Sequence, residues 1–160
     1  MSNVLPDLNE QGYLPEGCYL PPLTEFVERF VQVDDINKRK ELFSNYQSYS
    51  GRFKSILLKV WIGGSYVTEK PKPNDIDLTV HYDTMKFNDL KITPLAERLN
   101  FSNKEYMGSK YNCHTQYVPV YPKNHPKYVL TERQNEKWYK WFTRDRNGIS
   151  KGIVELQKNK

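Results

Sequence analysis

Residues 55–82 read SILLKVWIGGSYVTEKPKPNDIDLTVHY, and the fold turns on this stretch. Its first part, through Gly64, is a short β-rich apolar run that stops at two glycines, the pattern of an interior strand. A basic loop with two prolines follows. Ile76, Leu78, Val80 and Tyr82 then alternate with Asp75, Asp77, Thr79 and His81, which predicts a second strand with two unlike faces. Side chains two apart on a strand share a face, so Asp75 and Asp77 project together, about 7 Å apart at the backbone. Burying like charges at that spacing costs several kcal/mol unless a cation lies between them.

Upstream, residues 1–22 are rich in Pro, Gly and polar residues and read as an extended arm, with Tyr13, Leu14, Tyr19 and Leu20 available to pack on the body. Thr24 is the expected cap of a helix through Gln32. A second helix is expected from Asp34 or Asp35 to about Gly51, burying Ile36, Leu42, Phe43, Tyr46 and Tyr49 and turning the cluster Asn37–Lys40 to solvent. Downstream, residues 93–100 predict a short helix with Leu95, Ala96 and Leu99 inward. Residues 114–122 predict a strand that Pro119 confines to an edge or a bulge. Thr131 is the expected cap of a helix carrying Trp138, Trp141 and Phe142 as an apolar stripe, and residues 153–157 predict a closing strand. The order describes one α+β domain over residues 1–160, a small mixed sheet backed by helices.

Two carboxylates on one strand face suit Mg²⁺ or Mn²⁺, which take oxygen ligands and leave other positions to water or substrate phosphate. The glycines and Ser65 complete the pattern, because Gly64 lets backbone N–H groups approach a phosphate and Ser65 adds a hydroxyl. Further along, Arg144, Arg146 and Lys151 surround a turn with Gly148 and Gly152 and are candidate phosphate contacts, or simply a solvated polar turn. Lys70 and Lys72 carry the same two readings. The plainer account of Asp75 and Asp77 is turn chemistry after Pro73 and Asn74.

Gly63–Gly64–Ser65, nine further residues and then Asp75–Ile76–Asp77 resemble the signature of the DNA polymerase β-like nucleotidyltransferase superfamily in its minimal bacterial form. The segments YLPEG, EFVERFV and WFTRDRNGISKGIVEL extend the resemblance to small bacterial and mobile-element proteins of that type, across most of the chain. The resemblance implies a polymerase β-like palm, with Asp75 and Asp77 as catalytic metal ligands. Gly64, Ser65 and Lys151 would then be the nucleotide-binding residues. It implies transfer of a nucleoside monophosphate, AMP favoured, from an NTP to a hydroxyl of a protein or RNA acceptor, in toxin–antitoxin or phage-defence biology. One departure matters. The superfamily supplies a third acid from the next strand, where this chain has His114, Thr115 and Gln116, and no carboxylate lies between Tyr106 and Leu130. A two-metal mechanism is hard to assemble without it. The alternative is a catalytically degenerate module that binds nucleotide or a partner protein. His114 is either a base or a structural histidine.

The remaining composition sets outer bounds. No apolar run reaches the roughly 20 residues of a membrane helix. Cys18 and Cys113 lie far apart without metal spacing, as expected of reduced thiols in a cytoplasmic protein. A net charge of +5 fits a nucleotide or RNA partner, and it fits many other proteins. A chain this short has little room for acceptor recognition, so a partner subunit or homodimer is plausible.

Overall fold

The computed structural model describes residues 3–33 and 37–158. Five strands form one mixed sheet in the order β1-β5-β2-β3-β4. These are β1 (Gly17–Tyr19), β2 (Leu57–Gly63), β3 (Ile76–Asp83), β4 (Cys113–Val120) and β5 (Gly152–Gln157). The β1–β5 and β3–β4 pairs are parallel, and β2 runs antiparallel to both its neighbours. Pro119 sits on edge strand β4, where a missing N–H costs no ladder bond toward a further strand.

The helices among the described residues are α1 (Leu23–Phe26), α2 (Lys38–Arg52), α3 (Thr84–Asn88), α4 (Leu95–Ser102), α5 (Lys104–Tyr111) and α6 (Tyr128–Phe142). One face of the sheet, carrying Val60, Ile62, Ile76, Leu78 and Val80, joins Phe26, Leu42, Tyr49 and Phe101 in the main core. The other face is covered by α6, whose Phe142 packs with Trp61 and Ile153. Asn135 of α6 bonds His81 Nε2 of β3 at 3.0 Å. That is why Thr79 and His81, read as the polar face of β3, are buried. The arm packs on the body through Leu5 and Leu14, and β1 adds a strand to β5.

Several expectations need correction. Pro22, not Thr24, precedes the first helix, which passes into a π turn at Val27–Val31. The start expected at Asp34 or Asp35, and Ile36, lie outside the described residues. Helix α2 runs through Gly51 to Arg52, because no αL residue or proline interrupts it there. Arg39 of the supposedly solvated cluster is 1% exposed. Leu95 and Leu99 are 63% and 64% exposed and Ala96 is also outward, because α4 instead buries Phe101 and turns Glu97 to bond Arg52. Helix α6 begins ahead of Thr131, whose hydroxyl donates to Pro119 O at 2.7 Å and ties the helix to β4. Trp141 leaves the predicted stripe and is 71% exposed.

Candidate active site

The site lies where β2 ends and β3 and β4 begin. Gly63 pairs with Asp77 and Asp77 with His114, so three neighbouring strands deliver the glycine corner, the second acid and the histidine to one place. Asp75 sits in the bend just before β3. His114 Nδ1 is 3.6 Å from Asp77 Oδ1 and 3.9 Å from Asp75 Oδ2, so the two acids converge as strand parity predicts. The acids are about one-third exposed, at 34% and 30%, while His114 is 73% exposed. His114 therefore belongs to the mouth of the site and not to the core. The structural histidine is His81, 2% exposed and held down to a pKa of about 4 by burial.

Each glycine of the corner answers a separate need. Gly63 is extended, and a side chain there would strike the Phe142 ring, so this glycine lets α6 close on the sheet. Gly64 has φ +65°, and a Cβ there would collide with Asp77 Oδ2. A 3₁₀ turn then runs from Gly64 to Val67 and holds Ser65 at the rim, half-buried, where its carbonyl accepts from the Thr68 hydroxyl at 2.7 Å.

The sequence did not announce the residue that holds this turn. Arg39, reaching in from α2, donates to the carbonyls of Phe30 (3.0 Å), Tyr66 (2.6 Å), Thr68 (2.9 Å) and Lys70 (2.6 Å). Tyr66 returns a bond from its hydroxyl to Arg39 O at 2.8 Å. A basic cluster on a helix gives no sign of which member turns inward. Only the helical period from Leu42, three positions on, points that way.

Electrostatics single out Asp77. Burial, and then the neighbouring Asp75 charge, hold its carboxyl above the ordinary range, against weaker lowering by His114 and Lys151. The Lys151 ammonium is held low by burial while Asp77 and Asp145 pull it up, so Lys151 does reach the field of the site. Arg144 does not: it pairs with Glu16. Arg146, Lys70 and Lys72 are exposed. Asp83, at the other end of β3, caps α3 by accepting from Lys86 N at 3.1 Å.

Among the described residues no group of three or more His, Cys, Asp or Glu side chains is arranged to hold a metal ion. The donor set that exists is a carboxylate pair whose member Asp77 is destabilised as an anion, facing a corner where Gly64 removes all side-chain bulk. Two hard oxygen donors fit Mg²⁺ or Mn²⁺ if phosphate and water complete the shell.

The model of a family of unknown function (DUF6932) matches residues 6–157, so the chain belongs to that family. No curated protein and no solved structure matches it.

Proposed function

We propose that this DUF6932 member is a nucleotidyltransferase that moves a nucleoside monophosphate, AMP favoured, from an NTP to a hydroxyl of a protein or RNA acceptor. The observation that carries this reading is the convergence of Asp75, Asp77 and the Gly64–Ser65 turn at one sheet corner, with Lys151 in the field of Asp77. In the reaction the acceptor oxygen forms a bond to the α-phosphorus, the bridging bond to the β-phosphate breaks, pyrophosphate leaves and the hydroxyl proton passes to solvent or a base. Asp75 and Asp77 would hold a divalent cation, Mg²⁺ or Mn²⁺, which supplies charge neutralisation on the phosphates.

The chain's own groups orient the substrate. The 3₁₀ turn offers backbone N–H groups and the Ser65 hydroxyl to phosphate oxygens, and Lys151 adds a cation beside them. Arg39 keeps the turn in place without touching substrate. Phe142 on Gly63 shields the rear of the corner from water.

The test is transfer of label from an α-labelled NTP with Mg²⁺ or Mn²⁺, in a lysate that contains the acceptor. Asp75→Asn and Asp77→Asn each abolish it on this reading, and retained transfer in both variants rejects the site. A second reading rests on one observation: His114 stands opposite Asp77 where a third acid would serve. A module that binds NTP, or a partner subunit or second copy, without pyrophosphate release satisfies that geometry, and calorimetry without turnover would identify it. A cytoplasmic place in toxin–antitoxin or phage-defence biology belongs to the resemblance. Among the described residues no helix is long and apolar enough to cross a membrane.

A further inference from the structure

Helix α6 has two unlike flanks. Glu136 and Lys140 pair at 2.8 Å on one, with Glu132 a turn away. On the other flank lie Lys137 and, one turn on, Trp141, which is 71% exposed. Lys137 Nζ lies over the Trp138 ring at 4.5 Å, and α6 packs on β4, to which Thr131 ties it. Across from it, Lys104 at the start of α5 reaches Gln116 Oε1 on β4 at 2.6 Å. Gln116 is two residues beyond His114 on the same strand face, and His114 is 3.6 Å from Asp77. The two lysines feel each other: Lys104 is held below its ordinary range by partial burial first and by Lys137 second. The surrounding chain adds to the sign, since residues 106–131 contain no carboxylate and include Lys110, Lys123 and Lys127. An exposed indole beside cations, on a surface that leads through Gln116 and His114 to Asp77, matches the stacking-plus-phosphate arrangement that grips unpaired nucleotides.

We propose that this surface, where α6 meets the β4 edge, binds the acceptor, and that the acceptor is a single-stranded nucleic acid. Lys104 and Lys137 hold backbone phosphates, Trp141 stacks on a base, and the strand's terminal hydroxyl lies toward Asp75 and Asp77. The choice of acceptor rests on the transferase reading, whereas the surface stands on its own geometry.

The experiment is fluorescence anisotropy of labelled 20-nucleotide oligouridine and oligoadenosine across a KCl series, without NTP or divalent cation. A duplex of equal length and polyglutamate serve as competitors. Trp141→Ala should weaken binding about 5- to 100-fold. Lys104→Gln and Lys137→Gln should each flatten the log–log salt slope by about 0.7. Lys140→Gln, on the acidic flank, should bind as the parent does. Equal affinity for duplex or polyglutamate, or parental affinity in both Trp141→Ala and Lys137→Gln, overturns the proposal. If label moves onto protein and never onto an oligonucleotide, the surface assignment falls and the transferase reading survives. If oligonucleotide binding maps to this surface and no transfer occurs, the transferase reading falls alone.

Discussion

Two acidic centres lie on the same face of one sheet and are treated in opposite ways. Glu155 of β5 is 1% exposed, yet it accepts from Trp61 Nε1 at 3.0 Å, Lys59 Nζ at 3.3 Å and, through its other oxygen, Gln157 Nε2 at 3.1 Å. Burial pushes its carboxyl up, but those donors outweigh it and hold the pKa below the ordinary value. Asp77 is far more exposed, and its carboxyl is raised. The protein supplies its own counter-charge to the acid it buries and leaves the acid at the corner in want of one. On the proposed reading, the acid left short of partners is the one that a divalent cation would meet.

That contrast can be broken by substitution, beginning with the largest effect. Asp77→Asn should cut transfer of label about 1,000-fold or more, the several kcal/mol that metal-assisted charge stabilisation supplies. The same variant should unfold slightly later in urea, by about 0.5 kcal/mol, since it removes a like charge beside Asp75. Glu155→Ala should do the reverse. It strands Lys59 and Trp61 Nε1 and should cost about 3–5 kcal/mol in denaturant melts, with transfer per folded molecule little changed.

His81 sharpens the comparison through pH. Its folded pKa of about 4 lies below the ordinary 6.5, so between those values the unfolded chain holds a proton that the native protein lacks. Stability from this group is complete above pH 6.5 and falls as pH drops toward 4, by roughly 3 kcal/mol. Urea midpoints at pH 7 and pH 4.5 should therefore differ more in the parent than in His81→Gln. The smallest destabilisation belongs to Gly64→Ala. An L-residue at φ +65° costs about 1–2 kcal/mol, and the new methyl must turn the Asp77 carboxylate aside. Nucleotide affinity, measured by calorimetry, should fall by more than the melting curve suggests.

The parts of this architecture legible in the sequence are those set by short-range periodicity. Alternation over 76–82 gave β3 and the shared face of Asp75 and Asp77. Pro119 gave an edge or a bulge, of which the edge is what the sheet shows, and the spacing of Leu42, Phe43, Tyr46 and Tyr49 gave the buried side of α2. What was illegible depends on partners distant in the chain. Leu95 and Leu99 have helical spacing but face solvent, because α4 is oriented by Phe101 and by the Glu97–Arg52 pair across 45 residues. Thr79 and His81 look solvated until α6 covers them. Helices α3 and α5, Thr84–Asn88 and Lys104–Tyr111, carry too weak an apolar pattern to stand out. At the candidate site, the convergence of the acids with Gly64 was readable, and Ser65 and Lys151 were named as candidates beside them. Arg39 was missed, since its four acceptors are carbonyls and carbonyls leave no trace in sequence.

The seam between the arm and the last strand has a consequence for synthesis. Gly17–Tyr19 lies against Gly152–Val154, the Tyr13 hydroxyl donates to Asp145 at 3.0 Å, and Gly152 N donates to Leu14 O at 2.7 Å. The loop that carries Lys151 is thus fastened by residues made more than a hundred positions earlier. Contacts this remote in sequence form late. A chain still on the ribosome holds Asp75 and Asp77 without the clasp that brings Lys151 to them, so the corner is finished only when β5 emerges to meet the arm. On the proposed reading, nucleotide binding is expected to wait for that pairing.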